Sequence, residues 1–494
     1  MKKHTIQKVL LCILLSCATG CSAISTKTSD VENNISTTLK DSGAVREKNV
    51  ELTKNAENDV TVLVYMNGSN LESESGEASD DLKEMINAGS SDNVNVVVQT
   101  MGTKKWQKLG IASDRSQIYE VNGDGLNLVK DDLGQLDCTD PSSLSSFISW
   151  GAENYPADRY ILLFWDHGSG PVYGFGYDEF NTDGTLSTDE IQTALKDGGV
   201  YFDFIGMDCC IMSSIEVGCA FYNYCDYAIL SEDFESGLGW YYTDWLAQLM
   251  EDTSISTPNL SKVIIDDMVA KNENNSDGSS SILACIDESM MKVLFQAWTD
   301  FAYANEDSLL NNNYSQQELS PRASSARPYT DIFDNWWDSN GVTLEEYYVT
   351  DIMAVAQNIE SDESQALSSA LSQALVYVNA TSDDSTLTGL SVTLPYGDYN
   401  YYEDLKTVFT NLGIDSTYIT WLEKFVTSSS ASSYYDYNDW EDSWSGWDDY
   451  QDTYDWDDWY AMDEYDNNYW DDSSYWGFDY YDYGYGPDHS GYYY

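Results

Sequence analysis

Two adjacent cysteines follow a short apolar stretch of the sequence and could supply a nucleophile. The segment FDFIGMDCCIMSSIE spans residues 202–216 and places Asp208, Cys209 and Cys210 directly after a candidate strand. A cysteine acts as a nucleophile when a base within hydrogen-bond reach takes its proton. Free cysteines are also among the most buried residue types, so two packed thiols are the structural alternative. The choice depends on whether a base lies nearby.

Histidine is rare in this chain, which narrows the search for that base. The three histidines are His4, His167 and His489. His4 lies in an apolar leader and His489 in a low-complexity tail, so only His167 remains in the body. It follows the apolar run YILLFWD of residues 160–166 and is followed by small residues. A lone histidine is usually structural, but one at a strand end beside a second strand that ends in cysteines favours catalysis.

Four near-continuous apolar runs indicate the elements that would position these residues. They are VTVLVYM at 60–66, VNVVVQT at 94–100, YILLFWD at 160–166 and FDFIGM at 202–207. Such runs are typical of parallel strands that are buried on both faces. Helical patterns fall between them at 77–89, 142–154 and 187–197, so we predict an α/β fold with a mostly parallel sheet sandwiched by helices. Ligands bind such sheets at the carboxyl ends of the strands, where His167 and Cys210 would emerge together.

The charge of the chain excludes one class of function. The 494 residues include 84 Asp and Glu but 23 Lys and Arg, for a formal net charge of −61. Residues 431–494 hold 18 of the acids, so the acidity extends over the whole chain. Because phosphate contacts require clustered Lys and Arg, we predict no nucleic-acid partner. Basic peptides and cationic surfaces are better suited as partners.

The two ends of the chain differ from the body in composition. Residues 1–21 begin MKKHTIQKVLLCILL, a basic start with an apolar run too short to span a bilayer, and are predicted to be a signal peptide. Small residues before Cys21 fit a lipoprotein cleavage site, with plain secretion as the alternative. Residues 22–57 are polar, and this composition predicts a flexible tether. We therefore expect a protein on the outside of a bacterial cell, held to the membrane by a lipid on Cys21.

Two motifs carry a resemblance to a known family. His167-Gly-Ser-Gly after an apolar strand, and Asp208-x-Cys210-x-Met212 followed by Glu216, resemble those of the clostripain family of cysteine peptidases. Further segments at 63–72, 155–170, 231–242 and 388–396 are also similar. The resemblance covers residues 58–427 and implies a sheet of the caspase and gingipain type, with a C-terminal α/β elaboration. It implies a cysteine endopeptidase that needs no cofactor for its chemistry.

The resemblance also assigns roles to particular residues. The family usually has Asp-Ala-Cys at the strand end, so Cys210 matches the nucleophile and Cys209 takes the place of the alanine. His167 would manage the protons, and the backbone N–H groups of Gly168 and Cys210 would bind the oxyanion. Asp208 would lie in the pocket for the side chain before the scissile bond, with structural hydrogen bonds to the turn as its alternative role. The acidic segment of residues 231–235 could supply a second pocket acid, with Asp233 as the first candidate, and two acids predict cleavage after Arg, then Lys.

A loop after the histidine has the spacing of a calcium site. Glu179, Asn181, Asp183 and Glu190 occupy oxygen-ligand positions, with a glycine at the sixth place. Calcium dependence is also implied by the family resemblance. The alternative is a polar turn in which Ser187 or Thr188 caps the following helix. The sequence thus suggests Ca²⁺ as the cofactor to test.

The last 67 residues, 428–494, are rich in Tyr, Trp, Asp and Ser and lack the periodicity of a helix or strand. We expect a disordered, low-complexity tail, and its aromatic rings suggest contact with cell-wall glycan or a cationic polymer. Two functions from different classes therefore remain. One is an active surface peptidase, and the other is a catalytically idle binding protein that uses the tail for attachment. The intact His167 and Cys210 favour the first.

Overall fold

The structure is a computed structural model that describes much of the chain. The described residues are 56, 58–182, 184–273, 281–311, 348–382, 385–395 and 398–428. The predicted signal peptide with Cys21, nearly all of the predicted tether and the tail lie outside them. Among the described residues, no helix combines the length and the apolar character needed to cross a membrane.

Eleven strands occur in the described part of the chain. They are β1 (Asn58–Asn67), β2 (Val94–Met101), β3 (Gln117–Asn122), β4 (Gly125–Lys130), β5 (Ala157–Trp165), β6 (Phe202–Asp208), β7 (Cys225–Leu230), β8 (Ile282–Asp287), β9 (Val349–Asp351), β10 (Leu375–Ala380) and β11 (Ser391–Thr393). Nine of them form one sheet in the order β10-β8-β7-β6-β5-β1-β2-β3-β4. Its five central strands are parallel, and the outer strands run antiparallel to their neighbours.

Helices connect the strands and cover both faces of the sheet. Those of the first half are α1 (Glu77–Asn87), α2 (Pro141–Asn154), the short α3 (Gly170–Tyr173), α4 (Thr188–Gly198), α5 (Ile215–Phe221) and α6 (Tyr242–Glu251). The others are α7 (Thr257–Glu273), α8 (Met291–Ala304), α9 (Glu306–Asn311), α10 (Ile352–Asn358), α11 (Asp362–Ala374), α12 (Tyr399–Leu412) and α13 (Ser416–Thr427). A single π-helical turn (Leu71–Ser75) precedes α1, and a 3₁₀ turn (Glu288–Met290) precedes α8.

Strand β1 shows why two hydrophobic layers form. Leu63 and Tyr65 point into the core beneath α2, α4, α5 and the C-terminal helices, whereas Val62 and Val64 point into the core beneath α1, α6 and α7. Neighbouring side chains on a strand face opposite sides, so a continuous apolar run supplies both cores. The predicted sandwich of a mostly parallel sheet between helices is confirmed.

The predicted C-terminal elaboration contacts the segment that follows the cysteines. Strands β9 and β11 pair antiparallel in a small second sheet. The Ser391 backbone N–H donates to the carbonyl of Ser213 at 3.0 Å, and the Ser213 hydroxyl donates to the Gly389 carbonyl at 2.6 Å. The Gly389 N–H donates in turn to the buried Glu232 carboxylate at 2.6 Å. These contacts fix the chain that leaves the cysteine turn.

Candidate active site

Strands β5 and β6 end side by side, and this places the histidine and the cysteines at one edge of the sheet. Trp165 and Asp208, the last residues of the two strands, are register partners. His167 and Cys210 each lie two residues beyond that pair. Both side chains line one cavity of about 110 Å³ at the carboxyl ends of the strands. The structure therefore brings the predicted nucleophile and base to the same cavity.

The two cysteines occupy different environments because the chain turns sharply after β6. Ile211 has a φ of +57°, a left-handed conformation that is rare for a β-branched residue. Cys209 is buried in the core, and burial raises the pKa of its thiol well above the usual range. Cys210 is half-buried, and its sulfur accepts a hydrogen bond from the Glu235 N–H at 3.3 Å. A tight turn thus exposes the second thiol of the pair.

Gly168 lies against the backbone of Cys210. A Cβ atom at this position would be 1.9 Å from the Cys210 carbonyl oxygen and 3.0 Å from its nitrogen. Gly168 also forms an antiparallel bridge with Phe175, which holds the loop in place. A glycine is required here because the histidine loop and the cysteine turn approach too closely for any side chain.

His167 is largely buried, with 6% of its surface exposed. Its Nε2 lies 2.8 Å from the side-chain oxygen of Asn70, three residues beyond the end of β1. Burial lowers the pKa of the imidazole to about 4. The ring is therefore neutral near pH 7 and able to accept a proton from a thiol, as a general base requires.

Asp208 makes the structural hydrogen bonds that were its alternative role, and its role as a pocket acid stays a prediction. Its carboxylate lines the cavity, and it also accepts hydrogen bonds from the Trp240 N–H at 3.2 Å and from the Tyr242 hydroxyl at 2.8 Å. Burial raises the pKa of this carboxyl group. The bonds orient the acid and hold the segment 239–242 against it. The pocket wall and the acid are thus parts of one hydrogen-bonded unit.

The second acid of the cavity differs from the one we expected. Asp233 does not line the cavity, because its carboxylate accepts a hydrogen bond from the adjacent Phe234 N–H at 2.8 Å. Glu235, two residues further on, lines the cavity with its carboxyl group beside that of Asp208. A third acid, Glu77 at the start of α1, lines the same cavity. The structure therefore places Glu235, rather than Asp233, in the cavity lining with Asp208, and the role of either acid in specificity stays a prediction.

The carboxyl groups of Glu77, Asp208 and Glu235 lie close together, with little positive charge nearby to compensate them. Burial raises the pKa of Glu235 well above its usual range, and the charge of Asp208 raises it further. Burial is also the main cause that raises the pKa of Glu77 to about 7. Lys271 lies behind this group, 3.0 Å from Glu84, and its ammonium also donates to the carbonyls of 238 and 240. The described residues that line the cavity include these carboxyl groups but no Lys or Arg. A cation that enters the cavity would therefore be the first positive charge among them.

The proposed calcium ligands are engaged in separate hydrogen bonds. Glu179 accepts from the Ser73 hydroxyl at 3.0 Å and from the Lys104 N–H at 2.6 Å. Glu190 accepts from the Ser187 N–H at 3.0 Å and forms a capping box with it at the start of α4.

The other two candidate calcium ligands do not form a metal-binding cluster among the described residues. Asn181 donates to Asp178 at 3.2 Å, and Asp183 lies outside the described residues. Elsewhere in the described ranges, no group of three or more His, Cys, Asp or Glu side chains could hold a metal ion. The helix cap considered as the alternative is present, and calcium binding stays a prediction.

Sequence reasoning missed Asn70 and Glu77, and it ranked Glu235 behind Asp233. Asn70 and Glu235 both lie in segments that resemble the family, but no spacing rule marks them as functional. Glu77 follows the left-handed Gly76 and could be found only from the packing of α1 against the 236–240 segment, where a Cβ added at Gly237 would lie 2.7 Å from the Glu77 carboxylate. All six described cysteines are free thiols.

A thiol and a neutral imidazole at adjacent ends of parallel strands, above a cavity lined with acids, are the arrangement of a cysteine peptidase. The sequence model of the clostripain family, peptidase C11, matches residues 64–462. The chain therefore belongs to this family of cysteine peptidases. The resemblance seen in the sequence is therefore confirmed. No curated protein matches the chain.

Solved structures of the same family share the fold. One is a secreted C11 cysteine protease from Bacteroides thetaiotaomicron in complex with an irreversible peptide inhibitor, 18% identical, with a TM-score of 0.53 over 72% of this chain and 99% of that one. Another is an inactive zymogen C11 protease from Parabacteroides distasonis, 17% identical, with a TM-score of 0.53 over 75% of this chain and 99% of that one. Both are matched over nearly their whole length.

Proposed function

We propose that this chain is an exported endopeptidase that cleaves after basic residues, Arg before Lys. Cys210 attacks the scissile carbonyl, and its proton passes to His167. The imidazolium then protonates the leaving amine, and water hydrolyses the thioester with His167 as the base. The backbone N–H groups of Gly168 and Cys210 are the proposed oxyanion donors. The close approach of the two loops supports this role, because a Cβ at Gly168 would lie 3.0 Å from the Cys210 nitrogen, so the two backbone segments lie side by side.

Four acidic residues line the cavity, and one of them, Asp166, accepts a hydrogen bond from the Tyr177 N–H at 2.6 Å. The observation that carries the specificity is that the other three come from separate elements. Asp208 comes from the end of β6, Glu235 from the loop after β7 and Glu77 from the start of α1. A guanidinium or ammonium group that enters displaces their protons and forms charge-assisted hydrogen bonds, which are about twice as strong as neutral ones. Several oxygens on different sides suit the planar, multi-donor guanidinium better than a point charge. Arg is therefore the preferred residue.

The specificity is tested with a panel of fluorogenic peptides that differ only in the residue before the scissile bond. Wild-type protein should cleave the Arg substrate fastest, then Lys, with little activity on Leu or Glu. Asp208→Asn and Glu235→Gln should each lower kcat/KM for Arg by about 10- to 100-fold, the usual effect of losing a charged hydrogen bond. Glu153→Gln, an exposed acid near the end of α2, is the matched control and should behave as wild type. A preference for apolar or acidic residues, or an unchanged Arg preference in both pocket variants, would remove the assignment.

We also propose that the chain is exported by its leader and anchored at the cell surface by a lipid on Cys21. The basic start, the short apolar run and the small residues before Cys21 support this location. The secretion of a related protease from Bacteroides thetaiotaomicron fits export. Labelling of cells with a clickable fatty acid should mark the wild type but not Cys21→Ser. Release of unlabelled wild-type protein into the medium would instead indicate plain secretion.

The tail is proposed to contact cell-wall glycan or a cationic polymer through its aromatic rings. This rests on composition, since residues 431–494 have many Tyr and Trp but no Lys or Arg. Co-sedimentation of the full chain with purified cell wall, compared with a chain that ends at residue 430, tests this contact. Equal sedimentation of both chains would exclude it.

A further inference from the structure

We propose that Asn70 is a positioning residue that holds the imidazole of His167 by its Nε2 atom, so that Nδ1 exchanges the proton with Cys210 and the leaving amine. The inference rests on the proposed roles of His167 and Cys210. Asn70 would be a third residue of the site, and it lies in the segment that follows β1, whereas His167 and Cys210 follow β5 and β6.

The contact itself defines which nitrogen carries the proton. The side-chain oxygen of Asn70 lies 2.8 Å from Nε2 of His167. With the amide in this orientation, its oxygen can only accept a hydrogen bond, so Nε2 donates and the neutral ring carries its proton there. Nδ1 then holds the lone pair. The tautomer of a histidine is set by the partner of its other nitrogen, and here that partner is Asn70.

The side chain of Asn70 contacts His167 and does not cap the turn that follows it. Asn70 has a helical backbone, with a φ of −72° and a ψ of −21°, directly before the π-helical turn Leu71–Ser75, and its side chain makes no capping bond to that turn. The preceding Ser69 is fully buried with a φ of +45°. Unfavourable backbone of this kind persists where the surrounding structure enforces it, and it is concentrated at functional sites.

Buried hydrogen bonds hold the turn that carries Asn70. The Glu72 carboxylate, inside the turn, accepts from the Ser79 N–H at 2.8 Å and from the Gln107 N–H at 2.5 Å. On the other side, a Cβ at Gly68 would lie 2.7 Å from the Thr103 methyl group. The turn is thus fixed on both sides. Asn70 therefore lies on a rigid support, as a residue that orients a base requires.

An amide suits this role because it accepts the same hydrogen bond throughout the reaction. In the first step the thiol proton moves to Nδ1 as the carbon–sulfur bond forms. In the second, that proton leaves Nδ1 for the amine nitrogen as the carbon–nitrogen bond breaks. Nε2 keeps its proton in both states, so Asn70 restrains the ring without taking part in proton transfer. A neutral oxygen also does not fix the imidazole in its charged form, as a carboxylate would.

The kinetic test uses Asn70→Ala, Asn70→Asp and a matched control in the whole chain. Asn70→Ala should lower kcat by at least about 10-fold with KM unchanged, because ring orientation matters in the transition state. Asn70→Asp keeps an acceptor and should recover most of kcat, but its negative charge stabilises the imidazolium and shifts the histidine limb of the pH profile upward. The control is Asn95→Ala, whose side chain bonds Asn58 and Thr61 at the opposite ends of the strands. It should leave kcat and the pH profile unchanged.

The tautomer is measured directly by nitrogen NMR. The chain has three histidines, so the double variant His4→Gln, His489→Gln contains His167 alone. Its imidazole should show the Nε2–H tautomer, and adding Asn70→Ala should give a mixture. Wild-type kcat in Asn70→Ala, or an unchanged tautomer, would overturn the role of Asn70 while leaving the dyad intact. Activity in His167→Ala would instead overturn the dyad, so the two failures are distinguishable.

Discussion

Substitution of Gly168 by alanine tests whether the spacing between the two catalytic loops determines activity. The added Cβ would lie 1.9 Å from the carbonyl oxygen of Cys210, whereas Cβ atoms essentially never approach other atoms closer than 3.0 Å. The obstacle is backbone and cannot rotate away. The histidine loop and the cysteine turn must therefore move apart by about 1.1 Å, the difference between these two distances.

A displacement of this size has a large kinetic effect. Misplacement of reacting groups by about 1 Å can cost about 100-fold in rate. We therefore expect kcat/KM of Gly168→Ala to fall by about 100-fold, which corresponds to about 2.7 kcal/mol of transition-state stabilisation. The assay is hydrolysis of an Arg fluorogenic peptide, normalised to the concentration of protein that an irreversible thiol inhibitor titrates.

The control for this variant is Gly184→Ala in the loop that follows. A Cβ at Gly184 would meet no atom within 4 Å, so it should leave kcat/KM and Tm unchanged. Wild-type kcat/KM in Gly168→Ala would refute the reasoning, because it would show that the two loops can separate without loss of function.

Four other expectations follow from the same structure. Because burial raises the pKa of Glu77 to about 7, this acid becomes charged as pH rises, so KM for an Arg peptide should fall between pH 6 and 8, and Glu77→Gln should flatten the change. Phe164→Ala removes a fully buried ring and should cost about 3–5 kcal/mol of unfolding free energy, measured by urea denaturation. If the loop binds Ca²⁺, added CaCl₂ should raise Tm in the wild type but not in Glu179→Gln, and equal curves would exclude this site. No Lys or Arg lies between Arg159 and Lys196, so the active protein should show no self-cleavage there by mass spectrometry.

The sequence predicts the sheet well because its central strands are buried on both faces. Burial requires continuous apolar runs, and the four predicted strands match β1, β2, β5 and β6 to within three residues at either end. The edge strands β3, β4 and β10 are partly exposed and carry no such run, so the sequence does not mark them. The catalytic pair is predicted for a related reason, since rare residue types directly after buried strands must lie at one edge of the sheet.

The pocket could not be predicted in the same detail because it depends on the path of a loop. Asp233 and Glu235 are two residues apart, and both are acids that follow β7. Only the backbone path decides which of them faces the cavity, and a local hydrogen bond turns Asp233 to the Phe234 N–H. Asn70 was missed because an asparagine after a strand usually only forms a turn.

The most direct test of the central claim is to identify the atom that an active-site reagent modifies. The whole chain is treated with an irreversible peptidyl inhibitor that carries Arg next to its reactive group, and the adduct is located by peptide mass spectrometry. We predict one adduct on Cys210 in the wild type, with the rate of labelling greatly reduced in His167→Ala. An adduct on Cys209, or equal labelling rates with and without His167, would contradict the account.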